Sequence, residues 1–363
     1  MKKNLDEIKQ KALSFLHDKD IIETAKDLIK IPSLTEREKE AVLHVKNILE
    51  KEGFETIIQE VEPDRPQVIG ILKGKGNGKS LMLNGHLDID SVTESWKWDP
   101  FEPKLEENRL WGAGIHNMKS GVAAILCAAI AIKHSKIPLS GDLVLAFVVG
   151  ELQGGRGTVH MLKSGIKTDM AIIPEPYSIN NIITKCVGVH KFAISTIGTS
   201  VHTGHRQNGV DAIRKMLKVI DALDHLDLGV KDKDIPNVPL HLVASIIGGR
   251  GRDYDLSGPC NLSDYCTIIV DLRYPGGITY QEISKKIIQM LEDIKSKDPD
   301  FRYEYDHPPK KQFRVGGTNM PPMDLPADIE IANIVKNNHE KIVGKPVKNV
   351  GAVMPYSCSG NDT

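Results

Sequence analysis

Residues 143–149, "LVLAFVV", contain no polar side chain, and they run straight into Gly150, Glu151 and a glycine-rich turn, "GELQGGRGT". A strand with one wet face alternates apolar and polar residues, so an unbroken apolar run belongs to a strand covered on both sides. Two shorter runs behave alike: residues 81–83 in "SLMLNGHLDID" and 171–173 in "DMAIIPEPYS". Between them, Val122, Ile125, Leu126, Ala129 and Ile130 recur at helical spacing after Asn117, with alanines filling most other places. Apolar strands alternating with buried helices predict an α/β fold, a mixed sheet with helices on both faces.

The flanking segments fit that reading. "MKKNLDEIKQKALSFLHDKD" places Leu5, Ile8, Ala12, Phe15 and Leu16 on one face of an amphipathic helix, unlike a secretory signal. "IPSLTEREKEAVLHVKNILEKEGFE" predicts a second helix, with Thr35 and Glu38 as a capping box and Gly53 as its stop. "PQVIGILKGKGNG" reads as a strand and turn. From about residue 188 the texture changes to half-exposed strands and amphipathic helices in the order β-α-β-β-α-β, that of a ferredoxin-like layer. The chain therefore reads as one domain of residues 1–187 and 308–363, with a second domain, 188–307, inserted in it.

Charge excludes some functions. The formal net charge is -1, which gives no general attraction for nucleic acid or an anionic membrane, and "HPPKKQFR" is too short to change that. No run reads as long enough to span a bilayer. The five cysteines, Cys127, Cys186, Cys260, Cys266 and Cys358, are scattered and form no C-x-x-C pair, which fits a reducing cytoplasm and gives no thiolate zinc site.

Each apolar strand ends in a group suited to catalysis or metal binding: His86, Glu151 and Glu175. Sites in open α/β sheets form at the carboxyl ends of strands, so convergence of three such ends outweighs any one of them. Asp88, two residues after His86, suits a partner that fixes the imidazole tautomer and raises its basicity.

With these pieces in place, the chain resembles the two-zinc aminoacylase and carboxypeptidase clan, which includes acetylornithine deacetylase, succinyl-diaminopimelate desuccinylase and carboxypeptidase G. The matching segments are "IPSLTERE", "LNGHLDID", "WKWDPFEPKLEENRLWGAGIHNMKSGVAA", "VVGELQGGRGT", "IIPEPYS", "GTSVHTGHRQNGVDAI", "CTIIVDLRYPGG" and "SGNDT", and they cover nearly the whole chain. The resemblance implies a catalytic domain, a lid that mediates a homodimer, and hydrolysis of a small N-acyl amino acid or peptide. In such enzymes two zinc ions about 3.5–4 Å apart activate a water and polarise the amide carbonyl. It further implies His86 and Glu175 as metal ligands, Asp88 as the partner of His86, Glu151 as general base and His202 as the lid histidine that steadies the oxyanion.

The chain departs from the clan at two ligand positions. Asn117 stands where a bridging aspartate is expected, and an amide offers one acceptor oxygen where a carboxylate offers two. Leu152 stands where a further glutamate ligand is expected. Asn117 is then either a weak metal ligand or a helix cap, and His116 either a substitute ligand or a turn histidine. A last histidine ligand expected near the end is not reached before "SGNDT". Arg273 reads equally as an ion-pair residue or a substrate contact, and Asn261 lies one residue from its expected place. Metal use is open at this stage: zinc, cobalt or manganese, or none. The alternatives are a non-catalytic small-molecule-binding protein on the same scaffold and a shortened form of a longer enzyme. A nucleophilic site at Ser357, Cys358 and Ser359 lacks a base at diagnostic spacing.

Overall fold

The computed structural model describes residues 2–176, 178–257, 260–309 and 319–352. Ser357, Cys358, Ser359 and the terminal "SGNDT" lie outside the described residues. The described chain divides into two compact units: residues up to Asn181 with Glu330–Lys348, and Ile182–Ile329 with the strand Asn349–Ala352.

The first unit is built on helices α1 (Lys2–Leu13), α2 (Asp18–Ile29) and α3 (Lys39–Lys51), then strands β1 (Glu55–Glu62), β2 (Arg65–Leu72) and β3 (Leu81–His86). A short hairpin follows, β4 (Lys104–Glu106) and β5 (Arg109–Trp111), then α4 (Ser120–Ser135), β6 (Leu143–Val148), α5 (Arg156–Lys163) and β7 (Met170–Ile172). Its sheet has the order β1-β2-β6-β3-β7. Strand β3 runs parallel to both β6 and β7, whereas β1 and β2 are antiparallel neighbours, so the sheet is mixed. The unbroken apolar run explains itself here. Leu143, Leu145 and Phe147 meet α3 and α4 through Val42, Val45, Val122 and Leu126, while Val144, Ala146 and Val148 face Met161 of α5 on the other side.

Three expectations need amending. The N-terminal helix is two helices, broken at residues 14–17, and Phe15 is exposed. Thr35 and Glu38 form no capping box: Thr35 donates to the Ile89 carbonyl, and Glu38 turns inward to the buried Arg65, whose need for a counter-charge outweighs a helix cap. Gly53 does stop α3, at φ 72°, one residue past Glu52. One helical run, Ile115–Ser135, is long and apolar enough by length and composition to cross a membrane. It is a core element instead, because Val122, Ala123, Leu126 and Ala129 are sealed against the sheet.

The second unit holds β8 (Asn181–Cys186), β9 (Gly188–Ile197), α6 (Ala212–Asp224), β10 (Leu240–Gly249), β11 (Tyr265–Tyr274), α7 (Tyr280–Lys297), β12 (Arg302–Asp306), β13 (Asn319–Met320) and β14 (Met323–Asp324); α8 (Glu330–Val343) rejoins the first unit and β15 (Asn349–Ala352) the second. Strands β10-β11-β9-β12 form an antiparallel sheet in that order. Its Phe192, Ile194, Ile268 and Val270 pack on Met216 and Val219 of α6 and on Ile287 and Leu291 of α7. Both helices start on side-chain caps, Asp211 for α6 and a Thr279/Glu282 capping box for α7.

Candidate active site

The order of the first sheet brings the carboxyl ends of β6, β3 and β7 side by side, and the polar residues after each strand meet there. His86, the last residue of β3, is 1% exposed. Its backbone N–H donates to Met118 Sδ at 3.3 Å, and its ring is held from both sides. Nδ1 lies 2.8 Å from the Asp88 carbonyl oxygen and 3.5 Å from Asp88 Oδ1. Nε2 lies 2.6 Å from Asn117 Oδ1, 3.7 Å from Glu175 Oε2 and 3.8 Å from Glu151 Oε2. With oxygen acceptors at both ring nitrogens, these partners assign a proton to each.

Electrostatics agree with that assignment. Burial works against the imidazolium, but the bonds from Asp88 and Glu175 and the nearby Glu151 charge prevail, holding His86 well above its ordinary value. Burial would likewise raise the Asp88 carboxyl. His86 beside it and the N–H groups of Leu152 and Glu151 hold it below the usual carboxylate range instead. Asp88 thus does two jobs. It faces the imidazole, and it accepts the Glu151 N–H on Oδ1 at 3.1 Å and the Leu152 N–H on Oδ2 at 3.0 Å.

Asn117 does not cap α4, whose first turn begins after Lys119; its side chain is spent on His86. The approach to it depends on Gly114, at φ 75°, where a Cβ would come within 2.4 Å of Ile89 Cγ2. Beneath it, the buried Lys119 ammonium donates to the Leu28 and Ile31 carbonyls, both at 2.8 Å, and burial pushes its pKa down to about 8. His116 is exposed. His202 belongs to the second unit, where its Nδ1 accepts the Gly204 N–H at 3.1 Å and its backbone bridges to Asn261. Arg273 forms a two-point ion pair with Asp271, 2.6 and 3.0 Å.

Residues 82–361 match the sequence model of peptidase family M20/M25/M40. The chain belongs to this family. Among M20 relatives, N-formyl-4-amino-5-aminomethyl-2-methylpyrimidine deformylase of Halalkalibacterium halodurans is 30% identical over 334 residues, which cover 85% of this chain and 75% of that protein. Succinyl-diaminopimelate desuccinylase of Wolinella succinogenes is 35% identical over 160 residues, 44% of this chain and 43% of that one. Among solved structures, the M20 family metallo-carboxypeptidase Sso-CP2 from Sulfolobus solfataricus shares the fold, with a TM-score of 0.72 at 13% identity over 94% of this chain and 88% of that one.

An M20 protein implies a metal, and the donors here can be weighed against one. Among the described residues no three His, Cys, Asp or Glu side chains are gathered tightly enough to enclose an ion. A third donor comes only from outside that list, as the Asn117 amide oxygen. With the Nε2 proton given up, His86 Nε2, Asn117 Oδ1 and the Glu175 carboxylate would be the donors for one divalent ion. Among the described residues a second ion finds no such set, since Leu152 has no donor and Asn117 has a single oxygen to give.

The sequence gives no hint of the residues that grip the Glu151 turn. Gln153, 7% exposed, lies in that turn, and Arg65, 4% exposed, reaches it from β2, 88 residues earlier. Only the position of Gln153, two residues after Glu151, is a signal of any kind.

Proposed function

We propose that this M20 chain is an amidohydrolase that cleaves the amide of a small N-acyl amino acid or peptide, with Glu151 as general base. The observation that carries the reading is the meeting of Glu151 and Glu175 within 3.8 Å of His86 Nε2 at the ends of adjacent parallel strands. Glu151 takes a proton from water as its oxygen attacks the carbonyl carbon, and returns it to the amine nitrogen as the C–N bond breaks. Asp88 fixes both the His86 ring and the Glu151 backbone. His86, Glu175 and Asn117 are the residues that would hold zinc, or cobalt or manganese in its place, with His116 left outside the set. When bound, such an ion supplies Lewis-acid polarisation of the carbonyl and lowers the pKa of water.

We assign His202 to steadying the developing oxyanion at the site of a partner copy, and the second unit to the role of a ferredoxin-like lid. We assign the homodimer contact to the same unit. Edge strand β10 exposes Leu242 and Ile246, and α6 exposes Leu217, an apolar surface suited to a second copy. Free Cys127, Cys260 and Cys266 support a reducing, cytoplasmic setting.

The test is a panel of N-acyl amino acids and dipeptides assayed with the wild type and Glu151→Gln, together with elemental mass spectrometry after zinc loading. Turnover lost in Glu151→Gln with the fold intact, and about one metal per chain, is the expected result. Turnover unchanged in Glu151→Gln refutes the base role. Carboxylate binding without turnover across the whole panel favours a binding protein on this scaffold instead.

A further inference from the structure

The turn that carries Glu151 is built from residues that do not fix its direction. Gly150, Gly154 and Gly155 sit at φ 72°, 84° and 69°, so local sequence leaves the turn loose. Asp88 anchors it through two backbone N–H groups. A second anchor acts through Gln153, whose Oε1 accepts from Arg65 Nη1 at 2.6 Å and whose Nε2 donates to Glu36 Oε1 at 2.8 Å. Arg65 is fixed in turn by both carboxylate oxygens of Glu38 and by Glu62 Oε2 at 2.7 Å.

The two anchors close on each other. The segment that bears Glu36 is stitched to the residue after Asp88: the Thr35 N–H donates to the Ile89 carbonyl at 3.1 Å, and the Ile89 N–H to the Ser33 carbonyl at 2.9 Å. The circuit therefore runs from Asp88 through the 151–152 amides, Gln153 and Glu36 back to Ile89. Glu38 is 1% exposed, and with Arg65 and Gln153 almost as buried, any other rotamer of Gln153 would strand a buried donor or acceptor.

We propose that Arg65 and Gln153 are positioning residues that fix the Glu151 carboxylate for proton transfer; this rests on the reading of Glu151 as general base. Displacement of a reacting group by about 1 Å can cost about a hundredfold in rate. A circuit of this kind removes that freedom where glycines would permit it.

The test compares Gln153→Leu, which keeps bulk but loses both bonds, with Gln153→Glu, which keeps the acceptor for Arg65 but turns a carboxylate oxygen, not a donor, on Glu36. In Gln153→Leu, kcat is expected to fall about tenfold or more with KM unchanged, and Gln153→Glu to recover part of the loss. Backbone hydrogen exchange over residues 150–155 should quicken by about tenfold in Gln153→Leu while the rest of the first unit exchanges as before. Wild-type kcat in both variants, with turnover abolished by Glu151→Gln, overturns the positioning role and leaves the base role standing. If the wild type turns over no amide, the functional reading fails by itself, and exchange decides: unchanged exchange over 150–155 in both variants overturns the positioning role.

Discussion

The buried pair Arg65–Glu38 permits a quantitative forecast. The Glu38 side chain is fully buried and that of Arg65 is 5% exposed, so solvent does little to screen either. Removal of one partner from a buried pair costs about 3–5 kcal/mol, because the other charge is left without compensation. The two single replacements are not equivalent. In Glu38→Leu, Arg65 keeps Glu62 and Gln153, so the loss should lie near the lower limit, about 3 kcal/mol. In Arg65→Met, Glu38 retains only the Glu36 N–H, 3.1 Å away, so the loss should approach about 5 kcal/mol. At about 2–4 °C per kcal/mol for a unit of this size, melting should drop by about 6–12 °C and 10–20 °C. The double replacement removes both charges and should recover most of the stability, while Gln153 stays without its Arg65 donor. Urea and thermal unfolding of the three variants complete the cycle. The reasoning is refuted if both single variants lose less than about 1 kcal/mol, or if Glu38→Leu is the more damaging.

His190 gives a pH forecast. It is fully buried beside the His307 ring, 4.4 Å away, with Tyr305 Oη 3.0 Å and Ser284 Oγ 3.2 Å from its Nε2, and burial pushes its pKa down to about 3. Above pH 6.5 neither state binds the proton; as pH falls from 6.5 to about 3 only the unfolded chain does, so stability drains away by at most about 5 kcal/mol. His190→Gln should flatten that window in acid unfolding curves, and an unchanged difference from wild type would rule the mechanism out. At the cluster, Asn117→Asp adds a second oxygen and a negative charge beside His86 and should tighten zinc binding by about tenfold or more, read by calorimetry. Equal affinities would show that position 117 does not touch the ion.

The linear order of residues determined the alternation of buried strands and helices, because apolar runs and helical spacing are local patterns that must be covered by something. It also made His86, Glu151 and Glu175 conspicuous, since each follows an apolar strand and such ends share one edge of a parallel sheet. Family likeness was legible from the segments around these residues, because their spacing is constrained by the sheet. The bonds made by each residue were not legible. Thr35 and Glu38 have the spacing of a cap, yet the buried guanidinium of Arg65 claims Glu38 from β2. Asn117 has the chemistry of a cap, yet it turns to His86 because Asn117 and Met118 leave helical geometry before α4 begins. The run Ile115–Ser135 has the length of a membrane span, and only the sheet beside it makes it a core helix. The order of the strands, and with it the grip on the Glu151 turn by Asp88 and Arg65, is a property of the tertiary structure alone: Asp88 is 63 residues from Glu151 and Arg65 is 88 from Gln153. Nothing in a local pattern can specify a contact between side chains that only the closed sheet brings together.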